Sequence, residues 1–519
     1  MAVDLGTGGP KVAFVTARGD VLAHEVVPIA TDRLDDGGAV QDPDAWWDAI
    51  VSAGSRLVAR GALGDHALVG VTCTGQWGST VPVAADGTAA GPCLLWSDTR
   101  GHAYSARALG SASPLTLEGY GLTKVLRFIR KTAGAPAIEG NDPLGHVLFL
   151  RNDMPDVDAA TAVYLEPVDF LTLRFTGRAA ATPASMILSW LVDARDVAHP
   201  RYAPNLVRLS TRDAAKLPEL LPTGSVVGTV TRSVAEAIGI PPGIPVVAGT
   251  PDLLSGCMGS GAIGDWEAHM ALSTTAWLSC HVPKKKTDPF RQLATVPGVR
   301  DDRYLVANNH ETAGACLEWV RRELFAGASF SELDSAVSRA EAGSAGIMFA
   351  PWLAGERCPV NDRTLRGSFL NVSLQSTRAQ MLRAVFEGVA LNARWMQDAT
   401  EHFVGRRLGA IRVIGGGASS DIWCQIHADV MERPIEKVAD PLVANVRGAA
   451  LFAAHRLGLC DLDAAAREVR VERTFVPNPA TSTVYRALYA EFHSLYRRQR
   501  KMYARLNGLG GPFVASPAL

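Results

Sequence analysis

Each half of the chain opens in the same way. Lys11 to Thr16 is a short apolar run, Ala17-Arg18-Gly19-Asp20 is a turn, and Val21 to Val27 is a second run of β-formers, all preceded by the glycine-rich link Val3-Asp4-Leu5-Gly6-Thr7-Gly8-Gly9. Ala268 to Leu272 then reads as a strand, Ser273-Thr274-Thr275 as a small-residue turn, and Ala276 to Val282 as a second strand. A strand–turn–strand opening that recurs deep in the chain predicts two halves of the same α/β type. Length points the same way, because 519 residues exceed what one hydrophobic core serves. Pro241-Pro242-Gly243 marks the boundary, giving an N-terminal domain over 1–243, a C-terminal domain over 244–505 and a Gly- and Pro-rich tail over 506–519. The first strand is short for its place, which leaves room for a few residues ahead of Met1.

Composition narrows the class. The net charge of -1 gives no basic excess of the kind a nucleic-acid binder carries, and the dense run Lys284-Lys285-Lys286 reads as a solvated loop after a strand. The eight cysteines, at 73, 93, 257, 280, 316, 358, 424 and 460, form no CxxC pair and sit in apolar surroundings. They read as buried free thiols of a reducing compartment. No basic segment followed by an apolar run opens the chain, and no apolar run is long enough to span a bilayer, so a cytoplasmic location is expected.

Three segments carry candidate chemistry. Asp4 to Lys11 joins glycines that bring N–H groups close to an oxyanion, a Thr7 hydroxyl, a Lys11 ammonium and an Asp4 carboxylate able to hold Mg²⁺ through water. The same residues also suit a plain glycine-rich hairpin, and the segment is not a P-loop, because it leads into a strand. Val246 to Asp252 is an apolar strand that delivers a carboxylate at its C-terminal end, either aimed into a cleft or capping the helix that follows. Gly415-Gly416-Gly417, with Ser419, Ser420 and Asp421, links a strand to a helix. Three glycines in a row exceed what a cap requires and suit flat packing against a base. The formal GxGxxG at Gly259 to Gly264 neither follows a strand nor opens a helix, and it reads as a helix end with a linker.

Taken in order, these segments resemble the FGGY carbohydrate kinase family, to which xylulokinase and glycerol kinase belong, over nearly the whole chain. Asp4 to Lys11 is similar to the family's D-x-G-T-x-x-x-K loop, Trp96-Ser97-Asp98-Thr99-Arg100 to its W-x-D-x-R stretch, and Pro167-Val168-Asp169-Phe170-Leu171 to its P-x-D-[YF]-L. Leu353 to Pro359 resembles L-x-G-E-R-x-P, Glu387-Gly388 falls in its E-G helix, and Arg447-Gly448-Ala449-Ala450 resembles its closing helix. The resemblance implies two actin-like (ribonuclease H-like) domains around a central ATP cleft, with ATP and Mg²⁺ as cofactors. It implies Asp252 as catalytic base and, with Asp4, as metal ligand. Thr7, Gly8, Lys11, Thr274, Thr275, Gly314, Gly416, Gly417 and Asp421 fall on the nucleotide side, and Gln76, Trp77, Asp98 and Arg100 join Asp252 on the sugar side.

Two departures stand out. The family's second phosphate loop, G-T-S-[GS], is here Ser273-Thr274-Thr275-Ala276, and the Met-His-Gly of xylulokinases is replaced within Thr74-Gly75-Gln76-Trp77-Gly78. The reaction implied is in-line phosphoryl transfer to a ketopentose hydroxyl such as that of xylulose. A kinase for glycerol, gluconate or another polyol, and a low-turnover ATP- and sugar-binding regulator, are the rival readings. The implied partner is a small-molecule sugar or polyol, with no nucleic acid and no membrane, and a homodimer stays open.

Overall fold

The computed structural model describes residues 1–110, 116–117, 119–196 and 198–508. In the first half β1 (Ala2–Gly6), β2 (Gly9–Val15) and β3 (Val21–Val26) form an antiparallel meander. Gly9 turns the first hairpin at φ 121°, and a Cβ there would lie 2.1 Å from the Val27 carbonyl, so only glycine closes it. Helix α1 (Pro43–Ala59) is capped by Asp42, starts on a proline and buries Trp46, Ile50 and Leu57 on one face. Strand β4 (Val71–Gly75) then pairs in parallel with β1. Helices α2 (Pro143–Asp153) and α3 (Pro167–Thr176) follow, then β5 (Val226–Thr229) and β6 (Pro245–Pro251). The sheet order is β5-β6-β4-β1-β2-β3. Every residue of β4 is buried, as expected of a strand lying between parallel neighbours and covered on both faces.

Helix α4 (Asp252–Ser260) leaves β6 and ends at Gly261, with φ 71°. The second half begins with β7 (Ala268–Leu272) and β8 (Ala276–Val282), followed by β9 (Thr287–Asp288), β10 (Leu293–Pro297), β11 (Tyr304–Ala307) and α5 (Gly314–Leu324). Helix α6 (Arg378–Val404) opens on a Thr377–Gln380 capping box, and Gly405 ends it. Strand β12 (Ile411–Ile414), helix α7 (Asp421–Met431), strand β13 (Ile435–Val438), helix α8 (Ala444–Arg456), strand β14 (Val471–Phe475) and helix α9 (Ser482–Asn507) complete the described chain. The second sheet runs β9-β10-β11-β8-β7-β12-β13-β14.

The two sheets share one pattern. In each, an antiparallel pair (β1/β2, β7/β8) is extended on its first strand by two parallel strands (β4 and β6, β12 and β13) and then by an antiparallel edge (β5, β14). This is the ribonuclease H-like arrangement, present twice, so the expectation of two actin-like halves holds.

Strand β6 lies on the C-terminal side of the 243/244 boundary read from the sequence. It nevertheless pairs with β4 inside the first sheet, because its apolar run Val246-Val247-Ala248 buries against that sheet. The proposed tail is helical through Asn507, and residues 509–519 lie outside the described residues. The halves meet at α4 and α8, which cross backbone to backbone. A Cβ on Gly259 would lie 1.8 Å from the Ala444 carbonyl oxygen, and one on Gly448 would lie 1.9 Å from that of Ser255.

Candidate active site

The parallel register sets the geometry. Asp4 on β1 pairs with Thr74 on β4, Thr74 pairs with Thr250 on β6, and Asp252 follows two residues later, at the C-terminal ends of the strands. Two strand spacings therefore separate the two acids, roughly 10 Å between backbones, on the edge where open α/β sheets bind ligands.

Asp4 is 9% exposed; Lys11 Nζ stands 3.9 Å from its carboxylate, and the Asn445 side chain of α8 hydrogen-bonds it. Burial raises its pKa even against those two partners. Asp252 is half-buried at the start of α4. Its Oδ1 accepts the Leu253 N–H at 2.8 Å, and it makes no cap hydrogen bond to the next turn, so the helix-cap reading does not account for it. Burial, then the negative charge of Asp4, push its pKa up to about 7. Between the two acids, the buried Thr74 hydroxyl has no partner.

The first loop is pinned from several sides. Gln41, 1% exposed, donates through Nε2 to the Thr7 carbonyl at 2.7 Å and accepts from Trp46 Nε1 at 3.1 Å and from Gln76 Nε2 at 3.3 Å. Trp96 Nε1 donates to Thr7 Oγ1 at 3.4 Å, and Thr7 Oγ1 donates to Gln76 Oε1 at 3.5 Å. Gly8 opens onto free space. Lys11 Nζ donates to the Leu442 carbonyl, reaching from the first half into the second.

Leu442 leads to the other side of the cleft. Its side chain lies 3.6 Å from where a Cβ of Gly416 would stand, and Gly417 packs against Leu272 and Trp423. The turn at Ser273 to Ala276 is tied to the start of α5: Gly314 N–H donates to the Ser273 carbonyl at 2.8 Å, and Ala313 and Ala315 donate to that of Thr274. Thr274 is exposed and Thr275 half-buried. Contacts thus run from Asp4 through Lys11 to Leu442 and Gly416, and separately join the turn at Ser273 to Gly314.

Other candidates face elsewhere. Asp98 is fully buried, and its carboxylate is taken by the Ala39 N–H at 3.0 Å and by Arg100 at 2.6 Å. Arg100 in turn stacks on Phe149, 4.4 Å from the ring centre. Asp421 is held by Lys437 at 3.0 Å and Arg473 at 2.7 Å, on β13 and β14. Trp77 donates its indole N–H to the Ser185 carbonyl at 2.8 Å and is half-buried.

Sequence reading did not single out Gln41, Asn445 or Glu166. Glu166 is 2% exposed and precedes α3, yet it makes no cap bond to that helix; its Oε2 accepts the Gly78 N–H at 3.1 Å, and Ser79 N–H also bonds it. It anchors the segment that presents Gln76 and Trp77.

Residues 1–259 match the N-terminal domain, and residues 259–457 the C-terminal domain, of the FGGY family of carbohydrate kinases. The chain is similar to a xylulose kinase of Staphylococcus epidermidis, 26% identical over 510 residues that cover 98% of each protein. Among solved structures it resembles a ligand-bound xylulose kinase of Lactobacillus acidophilus (TM-score 0.84, 20% identity, 97% of this chain and 99% of that one). It resembles a gluconate kinase of the same species equally well (TM-score 0.84, 21% identity, 97% and 98%).

Proposed function

Because the chain belongs to the FGGY family of carbohydrate kinases, we propose that this ATP-dependent sugar kinase phosphorylates a ketopentose such as xylulose, with Asp252 as general base. The observation that carries the reading is a carboxyl poised near neutrality at the mouth of β6, opposite a second acid on β1. A sugar hydroxyl is a weak nucleophile at neutral pH, and a base whose pKa lies near the working pH takes its proton most effectively. Oδ1 of Asp252 is occupied by Leu253, which leaves Oδ2 to accept that proton.

Thr7 and Lys11 meet the phosphates from the first half, and Thr274 and Thr275 from the second. Lys11 exchanges the Leu442 carbonyl for phosphate oxygens when the nucleotide enters. Gly416 and Gly417, beside Leu442, offer a flat apolar surface to the base. Two acids flanking an unpartnered Thr74 hydroxyl fit a hydrated Mg²⁺, an ion that keeps most of its waters and takes one or two carboxylates. Among the described residues no cluster of three or more His, Cys, Asp or Glu could hold a metal on its own. When bound at Asp4 and Asp252, the ion supplies neutralisation of phosphate charge. Gln41 and Trp96 fix Thr7 and Gln76 before substrate arrives, so little order is lost on binding.

The sugar-side half ends with α4, and the nucleotide-side half follows Gly261. Eight free cysteines, seven of them buried, support a reducing cytoplasm. No helix among the described residues is long and apolar enough to cross a membrane.

The xylulose kinase relatives support a ketopentose. The stretch Thr74 to Gly78 departs from the Met-His-Gly of xylulokinases, which keeps a second reading, a kinase for glycerol, gluconate or another polyol. Coupled ADP release measured with xylulose, gluconate and glycerol separates them. Turnover with none of the three, in an enzyme that still binds ATP, would favour the low-turnover regulator instead.

A further inference from the structure

Away from the cleft, α2, the strand Val163–Leu165 and the segment 211–216 enclose a cavity of about 130 Å³. Arg212 lines it and is 7% exposed. Its guanidinium donates to the Pro143 carbonyl at 3.1 Å and lies 5.6 Å from the Tyr164 ring centre, yet no carboxylate stands within ion-pair distance among the described residues. Arg151 of α2 faces the same space and has no carboxylate partner either; it spends its donors on the carbonyl and hydroxyl of Thr211, at 2.8 and 3.0 Å.

Burial, with a small contribution from the charge of Arg151, pulls the Arg212 pKa down to about 10 against the opposing effects of Tyr164, Tyr202 and Asp142. Asp158 and Asp213 stand on the same wall, so two carboxylates face three cations, and neither guanidinium has a carboxylate within ion-pair distance among the described residues. Both acids are engaged elsewhere. Asp158 is 3.1 Å from Lys216 and accepts from the Tyr164 hydroxyl, and Asp213 accepts the Ala215 N–H. The backbone adds a second cost, since Thr211 sits at φ 53°, a conformation β-branched residues avoid, and it is this residue that Arg151 grips.

We propose that the cavity binds a single tetrahedral oxyanion between Arg151 and Arg212, either inorganic phosphate or the phosphoryl group of a phosphorylated metabolite. Planar guanidinium groups suit such an anion, and Lys216 closes the third side. Helix α2 links the cavity to the sugar side: Phe149, two residues before Arg151, carries the Arg100 guanidinium, and His146 meets Thr80 at 3.1 Å.

The test is isothermal titration of the full chain with inorganic phosphate at constant ionic strength. Phosphate also suits the cleft, so three proteins are compared. The cavity site is expected in the wild type beside any binding at the cleft; it persists in Lys11→Met, which disables the cleft, and weakens by on the order of tenfold in Arg151→Gln, the loss of a charged hydrogen-bond donor. Arg151 is the half-buried partner of the two, so its substitution leaves the fold intact where Arg212→Met endangers it. No binding in the wild type, binding lost in Lys11→Met, or equal affinity in Arg151→Gln would each overturn the proposal. Glycerol 3-phosphate in place of phosphate distinguishes the sources: tighter binding assigns the site to a phosphorylated metabolite, and equal or weaker binding to the free anion.

Discussion

Replacing Asp252 by Asn should slow the enzyme and stabilise the protein at once. The carboxyl has a folded-state pKa of about 7 against an ordinary value of 3.8. Above pH 7 it is ionised in both states, and the folded state bears the cost of holding that charge beside Asp4. At about 1.4 kcal/mol per pKa unit, the difference is about 4 kcal/mol at most. The carboxyl opens to a wet cleft, which screens it, so about 2 kcal/mol is the expected gain from Asn at pH 8. For a chain of this size, unfolding whole or half by half, that is a rise in Tm of about 2 to 4 °C.

The sign of the pH dependence is fixed. Between pH 7 and 4 the folded wild type takes up its proton while the unfolded chain stays ionised, so the wild-type penalty fades. The Asn advantage should shrink steadily across that window and vanish below about pH 4. Over the same range kcat/KM for the sugar should fall as the pH drops below 7, because the base is protonated. Turnover of the Asn protein should be down by a hundredfold or more at pH 8. Scanning calorimetry and a coupled ADP assay on the same preparations decide the matter. Near-normal turnover, or a Tm difference that does not change with pH, refutes the reasoning.

Lys11→Met should raise the KM for ATP about tenfold, with the sugar KM within twofold, since one charged contact to phosphate is lost; steady-state kinetics with each substrate varied in turn checks it. Glu166→Ala frees the Gly78 N–H behind the sugar loop and should raise the sugar KM about tenfold while leaving the ATP KM unchanged. An equal rise in both would mean a general loss of structure. Gly448→Val drives a side chain into the Ser255 carbonyl and should cost about 3 kcal/mol or more, read as a lowered urea midpoint.

The fold was legible because its signals are local. Apolar runs of five to seven residues, a proline after Asp42 and a Thr–Gln capping pair mark strands and helix starts without reference to distant partners. The places of Asp4 and Asp252 were marked by local signals too: Asp252 follows the apolar run of β6, and Asp4 stands in β1 just ahead of a glycine-rich turn. The supporting residues were not. Gln41 reaches Thr7 only because the first sheet folds over α1, and Asn445 touches Asp4 across nearly the whole sequence. Asp421 looks free beside three glycines, yet two later strands bring Lys437 and Arg473 onto it. Strand β6 fell on the wrong side of a Pro-Pro-Gly break because a turn signal cannot say which sheet the next strand joins.

The contact between α4 and α8 limits how this enzyme can breathe. With backbones in direct contact at Gly259 and Gly448, a swing of one half that turns about this crossing, like scissor blades on a rivet, would leave the crossing packed. Asp252 lies three residues from Ser255, about 5 Å along the helix, and Asn445 is one residue from Ala444. A swing of some 20° shifts atoms at that radius by about 2 Å, whereas those several times farther out travel several times as far. Asp4 lies in, and Asp252 directly follows, strands of one sheet, so a hinge motion between the halves would leave their spacing unchanged and carry the distant surfaces farthest.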